Sequence, residues 1–376
     1  MRSIRTGFTI FFVLAGFLAV FTVSLKAFSW IYNVPFIQAM IPESPFWHGH
    51  EMLSGYSQVL LAGYLLTRAK NHDITLFATF WCIARTAIFL SDPIGIYVAA
   101  ISNVAVTGLL FHHAGLAFFR AAKRFKSAIP GIVILLLFIA EAAYQSGEIL
   151  DHWTLRESAL RGIIWLLIML LFLMGGRITA AATSGSLQKR NLYRHGMAQR
   201  RLESFGLGAL GAAALCDVTG MPVELTAILL AAIALIIFLR LLHWHVRQAW
   251  DWFDVTSLHI GYAMLGIGLL FYAVQNLFSL DRNLAGFHGA MIGGFGILSL
   301  TVMSRTILQR LRFPVILPVT IRFCILSLLA ASLMRMAAFY VFPSSFLIAS
   351  AVLWLLAFIG FTAANSLIVW QFHKQK

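Results

Sequence analysis

Charge is scarce in this sequence. Only 11% of its 376 residues are Asp, Glu, Lys or Arg, and the acids number 14. A soluble chain of this length carries roughly 25% charged residues, so a set of globular domains with a solvated surface is excluded. Cysteine is also scarce. Cys82, Cys216 and Cys324 lie inside apolar runs with no CxxC spacing, so they are expected as small buried hydrophobes and not as a disulfide framework. Hydrolase signatures are absent: there is no GxSxG, HExxH or Walker loop, and no pair of carboxylates at matched depth. A literal GxGxxG (Gly206, Gly208, Gly211) sits in an apolar run with no strand before it. It fails as a nucleotide loop, and small residues at a close helix contact explain it better.

Apolar runs fill the rest. The chain is 60% hydrophobic, and runs of about 20 residues, the length a helix needs to cross the hydrocarbon core, recur throughout. Twelve are expected as transmembrane spans: 8–31, 46–67, 74–91, 94–119, 128–147, 157–176, 205–220, 223–243, 254–274, 287–305, 315–340 and 346–370. The fold class is therefore an all-α polytopic integral membrane protein, residues 1–376 forming one transmembrane helical domain embedded in the lipid bilayer. Arg2 and Arg5 precede the first run, and no small-residue cleavage site follows it, so it is expected as an uncleaved helix.

The net charge of +14 would suggest nucleic acid in a soluble protein. Here the positions matter more. With the N-terminus inside and the spans alternating, 21 of the 28 basic residues fall in inner segments. They include Arg68, Arg120, Arg124, Arg177, Arg194, Arg240 and Arg305. Glu43, Glu148, Asp151 and Asp281 fall in or beside outer segments, and Arg282 near one. The pattern follows the positive-inside rule, predicts both termini cytoplasmic and removes nucleic acid as a partner.

Charges inside spans are functional candidates by default. Arg85 in span 3 and Glu141 in span 5 are the clearest, and are expected to pair. Arg322 and Arg335 lie nearer the ends of span 11, where long side chains snorkel. The 12 histidines sort by depth. His48 and His50 open span 2, and His288 opens span 10. His48 and Met52 share a helix face at i, i+4, and His288 and Met291 do so at i, i+3. Imidazole and thioether suit haem iron or copper, and the two pairs lie at the same predicted depth. A second, inner set holds His259, His112 and His113, with His195 in an inner loop. Gly55, Gly63, Gly293 and Gly294 read as close helix contacts that would also admit a planar ligand.

Trp47-His48-Gly49-His50-Glu51-Met52-Leu53-Ser54-Gly55-Tyr56, followed by Ala62-Gly63-Tyr64-Leu65-Leu66-Thr67, resembles the signature of the NnrS family. Matching segments follow in order: Trp81 to Arg85, Gly175-Gly176-Arg177-Ile178, Leu258-His259-Ile260-Gly261-Tyr262, and His288 through Met303-Ser304-Arg305. The resemblance implies a twelve-span bacterial inner-membrane protein that carries haem and copper and acts in the response to nitric oxide and nitrosative stress. The family's histidines map onto His48, His50, His259 and His288. Two positions depart from the pattern. Ala84 replaces a glycine, and Arg310 stands where a later family motif has a histidine, which removes one donor from the copper expectation.

The residues leave three functions open. The first is a haem protein of the nitric oxide response, with His48, His50 and His288 as ligands, Met52 and Met291 as soft alternates, and Arg85 facing haem propionates. The second is a proton-coupled secondary transporter built on an Arg85/Glu141 pair. The third is a membrane oxidoreductase, for which no motif for a soluble electron donor is present.

Overall fold

The computed structural model describes residues 7–32, 46–67, 69–123, 125–192, 197, 199–278 and 284–374. Several residues used above lie outside that set: Arg2, Arg5, Glu43, Arg68, Arg124, Arg194, His195, Asp281 and Arg282. The described residues form helices joined by short connections, and no strand occurs among them.

Twelve long helices coincide with the twelve apolar runs. They are α1 (Thr9–Tyr32), α2 (residues 47–65), α3 (Asn71–Thr86), α4 (Ile94–Ala121), α5 (Phe125–Ile149) and α6 (Trp153–Gln188), then α7 (Arg200–Val218), α8 (Val223–His243), α9 (Phe253–Leu277), α10 (Ala285–Arg310), α11 (Val319–Ala337) and α12 (Pro343–Lys374). Among the described residues four prolines stand at helix heads, where the missing N–H costs little. Pro93, Pro222 and Pro318 are N-cap residues, and Pro343 opens α12.

Nine of these helices are long and apolar enough to cross a membrane; α2, α3 and α7 are the three that fall short. The 16 residues of α3 fall below the roughly 20 that the hydrocarbon core requires. One boundary needs correcting. The expected sixth span stops at Gly176, whereas α6 continues without a break to Gln188. Arg177 is therefore inside a helix and not at its end.

The helices gather into two compact units, residues 1–167 and 168–376, with the division inside α6. In the first unit α1 packs against α2, α3 against α4, and α4 against α5. In the second, α7 packs against α8, α8 against α9, α9 against α10, α10 against α11, and α11 against α12.

Four helices contain a stretch of π-helix: Glu51–Gly55 in α2, Phe111–Gly115 in α4, Leu171–Gly175 in α6 and Gly289–Gly296 in α10. A π turn carries one residue more than an α turn and leaves a carbonyl without its usual helical partner. That carbonyl must be satisfied where no water is present. Three of the four stretches are met by a side chain from another helix. Trp81 Nε1–H donates to Gly55 O at 2.9 Å. Arg240 and Tyr262 both donate to Phe172 O, at 3.2 and 3.1 Å. Ser332 donates to Gly289 O at 3.2 Å.

The glycines are contact points and not an open slot. A Cβ on Gly63 would collide with the Phe12 ring, one on Gly55 with the Arg85 guanidinium, and one on Gly293 with Met264 and Ser332. Helices α9 and α10 touch backbone to backbone. A Cβ at Gly268 would strike Ala290 N and Gly286 O, and one at Gly286 would lie 2.5 Å from Tyr272 N. The GxGxxG divides. Gly206 faces the Phe172 ring, while Gly208 and Gly211 face open space, so only the first serves a helix contact. Of the cysteines only Cys324 is buried, and Cys82 is exposed on α3.

Gly268→Val is expected to destabilise the protein by about 1–3 kcal/mol, because neither backbone can give way. Gly208→Ala is expected to be neutral or to stabilise by up to about 1 kcal/mol. Thermal unfolding of the two variants in detergent checks both values.

Candidate functional site

The first unit buries a connected polar cluster built from α2, α3, α4 and α5. Glu51 opens the π turn of α2. The same turn points Ser54 and His50 toward α5. His50 Nε2 lies 2.8 Å from Glu141 Oε1, and its Nδ1 lies 3.4 Å from Glu51 Oε1. Ser54 donates to the other Glu141 oxygen, and Gln145 donates to Oε1 at 2.8 Å. The Tyr144 ring stacks on the imidazole with centroids 4.3 Å apart.

Arg85 answers Glu51. Its Nε is 2.9 Å from Glu51 Oε2, its Nη2 donates to Asn103, and the guanidinium lies over the Trp81 ring. Glu141 is completely buried, and the other three charged or titratable members are nearly so. Water cannot solvate these groups, so each depends on its partner. The expected Arg85–Glu141 pair is not formed. Arg85 goes to Glu51 and Glu141 goes to His50, which removes the coupling pair on which the transporter reading rested. Arg85 is also already engaged, which weakens its expected role facing propionates.

The second unit holds a cluster around a cation that the sequence reading put at the inner membrane edge. Arg240, counted among the inner-loop cations, has no exposed surface. Its guanidinium lies over Phe172, Trp244 and Tyr262, with centroid distances of 5.0, 5.1 and 5.5 Å. Arg240 donates to the Tyr262 hydroxyl at 2.7 Å. Its nearest carboxylate, Glu203, is 3.8 Å away and is held by Arg177 at 2.7 and 3.1 Å. Gly176 makes room, since a Cβ there would lie 2.7 Å from Arg240 Nη2. Asp254 and Arg305 form another close ion pair. Arg240 ends an apolar helix, so its position in the sequence signalled the membrane edge. The aromatic residues at 172, 244 and 262 were the available sign of a cage.

His259 lies near the start of α9 and is buried. Its Nδ1 is 3.0 Å from Val255 O, its Nε2 is 3.4 Å from Thr183 Oγ1, and the Trp244 ring stands edge-on to it. Thr183 donates its proton to Thr179 O at 2.8 Å, so the hydroxyl proton is not aimed at the imidazole. His288 is half-buried. Its Nδ1 is 2.8 Å from Leu284 O, and its Nε2 is 3.2 Å from Arg335 Nη2. A carbonyl only accepts, so in both residues Nδ1 carries a proton, and in the neutral ring Nε2 keeps its lone pair.

His48, His50, Met52, His112 and His113 belong to the first unit, and His259, His288 and Met291 to the second. His112 and His113 lie in the π stretch of α4 with their rings 5.0 Å apart. His48, Met52 and Met291 are half-buried. Among the described residues, no three His, Cys, Asp or Glu side chains come together as a metal-binding group.

Replacing Glu51 by Gln leaves the Arg85 guanidinium buried without its carboxylate and is expected to cost about 3–5 kcal/mol. The double variant Glu51→Gln/Arg85→Met is expected to recover much of that loss. A double-mutant cycle on unfolding in detergent measures the coupling.

The motifs along the chain agree with a wider match. The sequence fits the model of the family described as NnrS protein over residues 3–371, nearly the whole chain. No curated protein matches it. The chain belongs to the NnrS family.

Proposed function

We propose that this chain is a haem-binding membrane protein of the bacterial response to nitric oxide. Family membership supports a membrane protein of that response in general, and the nine apolar helices support the membrane. The excess of basic residues in alternate segments supports an inner-membrane placement with both termini cytoplasmic.

The observation that carries the haem assignment is the hydrogen bonding of His259 and His288. In each, a backbone carbonyl one turn earlier holds Nδ1–H and fixes the ring, so that a metal would be met by Nε2, which at His288 faces Arg335. Metal-ligating histidines are oriented in this way. An axial haem site needs one or two such imidazoles and not a cage, so these residues fit the group. Haem, when bound, supplies an iron that in its ferrous state takes nitric oxide as a ligand. In the second unit Met291 is a soft alternate. In the first unit His48, with Met52 as a soft alternate, is proposed as a separate donor; His50 joins it only if Nε2 leaves Glu141, and His112 and His113 are secondary donors there.

Copper fits the described residues less well. They hold no three-ligand group, and Arg310 occupies a position where the family has a histidine. No step is assigned to it.

The purified protein is expected to show a Soret band that moves when nitric oxide is added to the dithionite-reduced sample. His288→Ala and His259→Ala are each expected to shift the band or to weaken haem binding by about tenfold or more. A preparation that shows no Soret band, even after haemin is added, overturns the proposal.

A further inference from the structure

Several arginines of the second unit already face an oxygen acceptor, Arg322 among them through Leu317 O. Arg177 and Arg240 share Glu203, and Arg305 holds Asp254. Arg335 differs. Among the described residues no carboxylate pairs with it, and its Nη2 instead meets Nε2 of His288 at 3.2 Å, with the guanidinium over the Phe339 ring.

The close approach of α10 and α11 fixes this contact. Gly289 has no side chain, and a Cβ there would lie 2.5 Å from Met336 Sδ. Ser332, one turn before Met336, donates to Gly289 O. These two contacts lock residues 332 and 336 of α11 against residue 289. Arg335, beside Met336, then meets His288, beside Gly289. Both side chains are half-buried, so a ligand can reach them.

The pairing is a poor match for both groups. A guanidinium binds best to a carboxylate, through two parallel charge-assisted hydrogen bonds, and here it has one neutral nitrogen. An imidazole whose lone pair receives a guanidinium N–H cannot also bind a metal. A ligand that brings a metal and a carboxylate together satisfies both.

We propose that Arg335 is a carboxylate-binding residue for haem. On loading, the guanidinium leaves His288 Nε2 and takes a propionate, which frees the nitrogen for the iron. The proposal rests on the reading of His288 as a haem ligand. It replaces Arg85, which Glu51 and Asn103 already hold, as the residue that faces the propionates.

The test compares haemin with haemin dimethyl ester, in which both propionates are blocked. Full-length wild type, Arg335→Gln, Arg335→Lys and His288→Ala are titrated in detergent, with Soret position and affinity as readouts. Wild type is expected to bind haemin at least about tenfold more tightly than the ester. Arg335→Gln is expected to bind both alike, at or above the wild-type ester value because Nε2 is no longer covered, and Arg335→Lys to recover part of the preference. A wild type that does not discriminate, or an Arg335→Gln variant that still does, overturns the role of Arg335. In either of those cases, a Soret shift in His288→Ala leaves the ligand reading standing. If His288→Ala leaves the Soret position and affinity unchanged, the ligand reading fails and the proposed exchange falls with it. Circular dichroism melting of Arg335→Gln separates loss of fold from loss of binding.

Discussion

A π turn leaves a carbonyl without its usual helical partner, and for three of the four π stretches among the described residues a neighbouring helix supplies the donor. Much of this structure follows from that constraint. Trp81 on α3 is tied to α2 through Gly55 O. Arg240 on α8 and Tyr262 on α9 are both tied to α6 through Phe172 O. Ser332 ties α11 to α10 through Gly289 O. Each turn therefore sets the position of side chains on other helices. The turn in α2 also aims Ser54 and His50 at α5, and the one in α6 fixes the aromatic cage next to His259.

The cost of burying charge then selects the partners. In the first unit two carboxylates share a site with one guanidinium and one imidazole, and each carboxylate has a cation or a ring nitrogen beside it. In the second unit Arg240 is held by three ring faces, a hydroxyl and a carbonyl, with its nearest carboxylate 3.8 Å away. Ring quadrupoles replace part of the solvation that a buried cation loses.

The helices were legible in the sequence because apolar length and proline position are local signals. Each of the twelve runs coincides with a helix, and Pro93, Pro222 and Pro318 mark where three of them begin. Partner choice was not legible, because it depends on contacts between helices. Glu51 lay inside a motif read for its histidines, so the partner of Arg85 was sought in Glu141. Arg240 sat at the end of an apolar run and read as a charge at the membrane edge. Gly206, Gly208 and Gly211 looked alike in sequence, yet only the first meets a ring. A glycine's role depends on which helix it faces.

The same logic separates the histidines. His50 has a carboxylate oxygen near each ring nitrogen, so its surroundings favour it as a charge partner. His259 and His288 each spend Nδ1 on a carbonyl of their own helix, a contact that an i−4 residue provides wherever the rotamer allows it. What differs between these two is the group that meets Nε2. At His259 it is a threonine hydroxyl whose proton points elsewhere, and at His288 it is a cation that no carboxylate among the described residues pairs with. The first nitrogen is sheltered in the interior and the second is covered by a side chain at a half-buried rim. Two histidines whose Nδ1 makes the same contact thus have different surroundings at Nε2, one sheltered by burial and one covered by a cation.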